Sequence, residues 1–319
     1  MLKYVLKRVL IAIPTLIAIS VVIYLVLALA PGDPLGELAN SPSITPEIRE
    51  NIRRALGLDQ PVYVRYFKWA TAFLSGNMGY SFVNPVPVRD LILQRLPTTL
   101  WVVGVAYAVS VVIAFPLGIL SALRRYTWTD QLVTTFAFAG FSIPPFFTGL
   151  LFILLFSVGL GWLPSIYDST LVVNSLGSMW AQARQSILPI AVLSLFQTAV
   201  LMRYIRAAVI EQLTMDYVRT AYAKGLSSWQ VIVRHVLRNA LIPVVTLIAL
   251  DVPSVFTGAL VTEQVFRVPG IGSLLIDSIT RSDTPVVMSI TFIYAILIVV
   301  FNLVADVLYG VLDPRIRFS

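Results

Sequence analysis

The sequence contains no cysteine and only one histidine, His235, among its 319 residues. The lack of cysteine excludes disulfides, thiolate nucleophiles, iron–sulfur clusters and cysteine-bound zinc. A single histidine also excludes a metal site built from several imidazoles. No Gly-x-x-x-x-Gly-Lys-Ser/Thr loop occurs, so the sequence has no recognisable phosphate cradle for ATP. If ATP drives this protein, we expect another chain to bind it.

Charge is scarce as well. Only 12% of the residues are charged, whereas a soluble domain carries about 25%. The mean hydropathy is +0.86, and the apolar residues form long blocks, which excludes an ordinary soluble enzyme. The net charge of +7 would suggest nucleic-acid binding in a soluble protein. Here the excess lies beside apolar blocks, so we expect a lipid bilayer and no nucleic acid as the partner.

Six apolar segments approach or exceed the length of about 20 residues that a membrane-spanning helix needs. They are Val9 to Ala30, Leu100 to Leu123, Leu132 to Leu160, Ile187 to Met202, Ala240 to Val261 and Val286 to Ala305. The third is interrupted by Pro144-Pro145, and the fourth must extend past Arg203 to span. The first resembles a signal peptide, but its apolar run exceeds the usual length of about 7–15 residues. We therefore predict an uncleaved span.

The distribution of positive charge predicts the orientation of these spans. With the N-terminus in the cytoplasm, 13 of the 23 lysines and arginines lie in cytoplasmic segments and three in the two short outer loops. Cytoplasmic loops are normally enriched in these residues. The sequence thus predicts an all-α polytopic membrane protein with six transmembrane helices and both termini in the cytoplasm.

These spans divide the chain into three regions. Residues 1–30 hold the N-terminus and first helix, residues 31–96 a folded extracytoplasmic loop, and residues 97–319 a five-helix core. In the outer loop, Thr45-Pro46-Glu47 is typical of a helix start, and Val62 to Leu74 predicts a second helix rich in aromatic residues. Two interpretations stay open: a lip that contacts an external partner, or a helix pair lying on the membrane surface.

The cytoplasmic loop at about 203–239 has the most structure of its own. A polar helix is predicted from Glu211 to Ala223, and Lys224-Gly225 ends it. Ser227 and Gln230 fit a capping box for a next helix over Trp229 to Ala240. Glycine at the break would let another protein approach the backbone. His235 lies in this second helix, either as an electrostatic contact with a partner or as a solvated side chain.

This loop closely resembles that of permease subunits in binding-protein-dependent ABC importers of the dipeptide, oligopeptide and nickel class. The general pattern of such permeases has Glu-Ala-Ala and, four residues later, Gly. This sequence matches it only at Ala221 and Gly225, with Arg219 and Thr220 at the other places. The distance from Gly225 to Pro243 is also longer, as in the peptide class. Further motifs of the class follow in order: Ala30-Pro31-Gly32-Asp33-Pro34, Leu56-Gly57-Leu58-Asp59-Gln60-Pro61, Gly76-Asn77-Met78-Gly79, Pro269-Gly270-Ile271-Gly272 and the ending Leu312 to Arg317.

The resemblance implies a first-subunit permease of type I ABC importer architecture in the bacterial plasma (inner) membrane. Such a subunit pairs with a second, homologous permease, two ATP-binding subunits and an extracytoplasmic solute-binding protein, and substrate passes by alternating access. ATP and magnesium would be bound by the ATPases, with no cofactor in this chain. Cargo of this class includes dipeptides, oligopeptides, glutathione-like compounds and nickel chelates. The residues implied to contact an ATPase are Arg219, Thr220, Ala221, Tyr222, Ala223, Lys224, Gly225 and Leu226.

Asp251 is the one acidic residue deep in a predicted span. Acids are costly inside a membrane and usually face a cavity or a partner. Asp251 could line the pathway and attract a substrate amine, bond to the partner permease, or meet backbone donors near the kink at Pro253. An alternative function, that of a self-sufficient secondary transporter, would also depend on Asp251. Such a transporter commonly has repeated halves, and we find no convincing repeat. Neither do we find a catalytic motif, so we expect no enzyme activity in this chain.

Overall fold

A computed structural model describes residues 2–29, 45–55 and 57–312. In these ranges the secondary structure is helical, apart from an isolated antiparallel bridge between Tyr80 and Pro87. The motif at residues 30–34, Leu56, and the C-terminal motif beyond Leu312 lie outside the described residues.

Twelve α-helices and two π-helical turns form the described part of the chain. The helices are α1 (Leu2–Leu29), α2 (Pro46–Ala55), α3 (Val62–Leu74), α4 (Val88–Leu123), α5 (Trp128–Ser142), α6 (Pro145–Phe152), α7 (Leu176–Leu213), α8 (Asp216–Ala223), α9 (Ser228–Val231), α10 (Arg238–Phe266), α11 (Ile271–Thr280) and α12 (Thr284–Leu312). The π-helical turns are π1 (Ile153–Gly159), which continues α6, and π2 (Ile232–Leu237), which joins α9 to α10.

Five helical stretches are long and apolar enough to cross a membrane. They lie in α1, α4, α7, the stretch from Ser228 to Pro253, and α12. Two bent helix pairs also qualify by length and composition: α5 with α6–π1, and the end of α10 with α11. The described residues therefore hold five to seven candidate spans. Five of the six predicted spans coincide with the long stretches, and the third falls on the first bent pair.

The structure corrects the predicted third span, because α5 and α6–π1 meet at an angle of 101°. Ile143 is extended, with φ −92° and ψ 123°, as expected for a residue before proline. Pro144 and Pro145 have no amide hydrogen to continue the helical bonding. The two prolines therefore end one helix and begin another.

The polar helix predicted over Glu211 to Ala223 is wrong at its beginning. Helix α7 runs past Arg203, as expected, and continues to Leu213. The Thr214 hydroxyl then donates to the Glu211 carbonyl at 2.8 Å. Met215 is extended, with ψ 145°, and precedes α8. The break is therefore made by a threonine that bonds back to its own helix, with neither glycine nor proline.

The predicted helices of the outer loop are confirmed as α2 and α3. The Thr45 hydroxyl accepts a hydrogen bond from the Ile48 amide at 3.3 Å, which caps α2. Glu50 and Arg54, one helical turn apart on α2, form an ion pair at 3.2 Å. Gly57 follows with a φ of +65°, a left-handed conformation that glycine adopts at little cost.

Contacts divide the chain into two compact units. The first comprises residues 1–5, 100–268 and 301–319, and the second residues 6–99 and 269–300. In the first unit α4 and α7 approach closely, since a Cβ added at Gly118 would lie 2.9 Å from the Ile205 side chain. The core of this unit continues into α8, α9 and π2 through Val218, Ala221 and Val231.

The second unit contains a buried carboxylate. Asp283 is 3% exposed, and it accepts hydrogen bonds from the Ser81 hydroxyl and, at 3.0 Å, from the Phe82 amide. Residues 79–88 form a hairpin whose ends are joined by the bond from the Val88 amide to the Gly79 carbonyl at 3.0 Å. Asp283 therefore fixes this hairpin beside the start of α12.

Candidate functional site

The candidate partner-binding surface is the segment from Met215 to Gln230, here called the coupling segment. Its helix α8 is anchored by one face, since Val218 is 3% and Ala221 5% exposed. These residues are three apart and so lie on the same side of a helix. They belong to a core cluster with Val209 of α7 and Val231 of α9. The buried face of α8 therefore belongs to the same core as the helices that precede and follow it.

A glycine C-cap ends α8. The Leu226 amide donates to the Ala221 carbonyl at 3.4 Å, and the Gly225 amide to the Tyr222 carbonyl at 2.9 Å. This is the Schellman pattern, which places a left-handed residue after the helix, and Gly225 has a φ of +77°. An added Cβ at Gly225 would meet no described atom within 4 Å. The backbone therefore needs glycine for its conformation, and the space beside it is open.

The predicted capping box is confirmed. The Ser227 hydroxyl accepts from the Gln230 amide at 3.4 Å, and the Ser227 amide donates to the Gln230 side chain at 3.1 Å. The helix that follows begins at Ser228 and passes through π2 into α10. His235 lies in π2 and is half-buried.

The structure brings most of the predicted contact residues to one exposed stretch. Of the eight, Ala221 is buried, Leu226 is half-buried, and the other six are exposed: Arg219, Thr220, Tyr222, Ala223, Lys224 and Gly225. The Arg219 side chain is 80% exposed, and its pair with Asp216 at 3.5 Å leaves it accessible. A partner can therefore contact both the charged side chains of this stretch and the exposed backbone at Gly225.

Sequence reasoning named Tyr222 but missed two other exposed apolar residues of this surface, Met215 and Trp229. Trp229 is 74%, Tyr222 44% and Met215 38% exposed. Aromatic residues and methionine are enriched where proteins bind one another. Trp229 lies between the capping-box residues Ser227 and Gln230 in a polar loop, and this placement was the available signal. The coupling segment thus presents aromatic, apolar and basic side chains together.

Asp251 of α10 is held within the first unit. The Gln197 side-chain amide of α7 donates a hydrogen bond to its carboxylate, and Gln197 is 6% exposed. One turn earlier, the Tyr107 hydroxyl of α4 donates to the Ile248 carbonyl at 2.7 Å. Polar groups of α4, α7 and α10 therefore lie close together around Asp251. Whether Asp251 lines the pathway stays a prediction.

Replacing Gln197 with leucine should lower the free energy of unfolding by about 1–3 kcal/mol, because a buried polar group then loses a partner. Thermal unfolding of the purified transporter measures this. The double variant Gln197→Leu/Asp251→Asn should recover part of the loss, since a neutral amide is cheaper to bury than a carboxylate. Unchanged unfolding in Gln197→Leu would contradict the assigned contact.

A second polar cluster joins α4, α5 and α7. Arg206 donates to both oxygens of Asp130, from Nε at 2.8 Å and from Nη2 at 2.9 Å. The Ser121 hydroxyl and, at 3.0 Å, the Tyr126 amide also donate to Asp130. The Asp130 side chain is 6% exposed. Sequence reasoning counted Arg206 only as an orientation charge and missed this pair.

The described ranges contain no group of three or more histidine, cysteine, aspartate or glutamate residues that could hold a metal ion. The described residues instead show two kinds of feature. An exposed helix–glycine–helix segment lies on the surface, and polar clusters lie between long apolar helices. Such an arrangement suits a membrane protein that binds partners and moves solutes between its helices.

Comparison with known proteins identifies the class. The family described as "Binding-protein-dependent transport system inner membrane component" matches residues 114–318, and the corresponding N-terminal family matches residues 1–103. The chain belongs to this family of permeases. It is therefore an inner-membrane pathway subunit of an ABC importer, which works with ATPase and binding-protein partners.

Among similar curated proteins, the oligopeptide transport system permease protein AppB of Bacillus subtilis (strain 168) is 41% identical over 319 residues, covering 100% of both chains. The glutathione transport system permease protein GsiC of Escherichia coli (strain K12) is 39% identical, again covering 100% of both. These relatives are transport permeases, not enzymes.

Among the solved structures that share the fold are chains of two ABC transporters. A chain of the MetNI methionine ABC transporter in an inward-facing conformation has a TM-score of 0.56 at 17% identity, covering 70% of this chain and 97% of its own. A chain of an amino acid ABC transporter with histidines has a TM-score of 0.53 at 13% identity, covering 69% and 94%. At these identities the likeness establishes the ABC permease fold alone.

Proposed function

We propose that this subunit carries di- or oligopeptides across the inner membrane. The observation that carries the proposal is full-length identity of 41% with an oligopeptide permease. The glutathione permease of similar identity supports the same chemical class, because glutathione and oligopeptides both contain amide bonds and free carboxylates.

The proposed assembly contains a second, homologous permease, two ATP-binding subunits and one extracytoplasmic solute-binding protein. Both termini and the coupling segment lie in the cytoplasm in this proposal. ATP and magnesium are bound by the ATPases, and this chain holds no cofactor. The mixed aromatic and basic surface at Tyr222, Lys224 and Trp229 supports docking of an ATPase at the coupling segment.

The packing of α8 suggests how motion at the ATPase reaches the membrane. Only Thr214 and Met215 separate α8 from α7, and four residues separate it from α9. Val218 and Ala221 also belong to one core cluster with residues of both neighbours. A displacement of α8 would therefore act on two long helices together, as rigid-body switching requires.

Reconstitution tests the proposed function. The chain, its partner permease and the ATPases are placed in proteoliposomes, and uptake of a labelled oligopeptide is measured with the solute-binding protein present. Uptake should require both ATP and the binding protein, and an ATPase variant lacking its phosphate-binding lysine is the matched control.

The outcomes separate cargo from mechanism. ATP-dependent uptake of a nickel chelate without peptide uptake would reject the peptide proposal and leave the importer class intact. Uptake without ATP, driven by an ion gradient and lost in Asp251→Asn, would instead favour the secondary-transporter alternative.

A further inference from the structure

The second unit contains a cavity that the transport function does not explain. Its volume is about 810 Å³, within the range of about 300–1,000 Å³ that is usual for small-molecule sites. Its walls come from α1, the turn before α3, α3 itself, the hairpin at 79–88 and the start of α12. The coupling segment, by contrast, belongs to the first unit.

The described lining of this cavity is positively charged. Arg54, Arg65 and Lys68 line it, and no aspartate or glutamate is found among the described lining residues. Arg65 and Lys68 are three residues apart on α3, so both point to the same side of that helix. The pair of Arg54 with Glu50 is solvent-exposed and offsets little of this charge. The cavity therefore favours an anion.

Two buried polar atoms in the lining also need a partner. The indole nitrogen of Trp69 and the side-chain oxygen of Gln60 are buried, and neither has a hydrogen-bond partner within the described residues. Buried polar atoms are normally hydrogen-bonded. Neither atom has accessible surface, so a molecule in the cavity reaches them only if the Trp69 or Gln60 side chain turns.

The Trp69 ring is held in place by other aromatic rings. Its centroid lies 5.8 Å from that of Tyr24, 5.7 Å from Phe73 and 5.5 Å from Phe292. Trp69 also follows Lys68 directly and lies one helical turn after Arg65. The indole ring is therefore a fixed part of the cavity wall.

We propose that this cavity binds an oxyanion group, carboxylate or phosphate, of a small organic molecule. Arg65 and Lys68, which both line the cavity, pair with its charge. The aromatic wall contacts the apolar part. The source is either a solute with a free carboxylate or the phosphate of a phospholipid. This site does not depend on the proposed peptide function.

The test uses the purified transporter in nanodiscs of phosphatidylcholine, without the solute-binding protein. The probes are dansyl-dialanine, its C-terminal amide, and short-chain phosphatidylglycerol as a competitor, with fluorescence anisotropy as the readout. The carboxylate probe should bind about tenfold more tightly than the amide, as expected for a charge-assisted hydrogen bond.

Three variants make the test specific. Arg65→Gln/Lys68→Gln should remove the preference for the carboxylate. Gln60→Glu, which keeps the side-chain shape but adds negative charge, should weaken binding about tenfold. Arg89→Gln removes a charge from an exposed position outside the cavity lining and should bind as the wild type does.

Each result decides the proposal. A carboxylate preference that these variants abolish identifies a solute site. Phosphatidylglycerol that co-purifies with the wild type and is lost from Arg65→Gln/Lys68→Gln, without dipeptide binding, identifies a phospholipid headgroup site. If the wild type and both cavity variants bind all probes equally and retain the same lipid, the cavity is not an oxyanion site and the proposal is overturned.

Discussion

Phenylalanine in place of Gly225 should reduce peptide uptake about tenfold or more while ATP hydrolysis continues. Coupling between two sites is typically worth a factor of about 5–150, and this change places bulk at the proposed ATPase contact. No described atom lies within 4 Å of a Cβ added at Gly225, so the new ring would meet the docked partner. Uptake, ATP hydrolysis and the amount of chain in the membrane are measured together.

Two smaller substitutions separate bulk from backbone strain. Gly225→Ala introduces the same backbone strain at φ +77° as Gly225→Phe, but it adds only a methyl group. Gly225→Asn carries less strain, since asparagine tolerates the left-handed region. Uptake should therefore fall far more in Gly225→Phe than in Gly225→Ala. Equal losses in both would assign the effect to strain in α8, and wild-type uptake in Gly225→Phe would reject the docking proposal.

Arg206→Met should lower the free energy of unfolding by about 3–5 kcal/mol, because it leaves the buried Asp130 carboxylate without its cation. The side chain of Asp130 is 6% exposed, so the guanidinium is its main source of positive charge. The remaining donors, the Ser121 hydroxyl and the Tyr126 amide, carry no net charge. Thermal unfolding of the purified transporter measures the loss.

A neighbouring arginine provides the matched control. Arg203 lies one turn earlier on α7, is exposed, and packs over the Phe141 ring at 5.2 Å. Arg203→Met should change stability by only about 0.5–1 kcal/mol, the usual value of an exposed cation–π contact. The double variant Arg206→Met/Asp130→Leu should recover most of the loss, since no buried charge remains. Equal destabilisation by Arg203→Met and Arg206→Met would show that the ion pair has no special role.

Local sequence features predicted the helical framework well. The spans follow from hydropathy, and the Ser227 capping box and the Gly225 helix end follow from residues only a few positions apart. The break at Thr214 was not predictable in this way, because neither glycine nor proline marks it. The interruption at Pro144-Pro145 was visible, but a hydropathy window contains no information on its 101° angle.

The polar pairs inside the helix bundle could not be predicted. Gln197 and Asp251 are 54 residues apart, Asp130 and Arg206 are 76 apart, and Ser81 and Asp283 are 202 apart. Each pair depends on which helices pack together and at what depth. A single sequence shows that each group needs a partner and does not identify that partner.

The π-helical turn π2 affects how the number of residues between α9 and α10 can vary. Its hydrogen bonds close one residue later than those of an α-helix, so the turn absorbs an additional residue without interrupting the chain of bonds into α10. An insertion or deletion within Ile232–Leu237 can therefore be accommodated by widening or narrowing one turn. Because the widened turn takes up the additional residue, the helix faces on either side of π2 keep their relative orientation. The direction in which the coupling segment points from α10 can therefore stay the same when the number of residues in π2 changes.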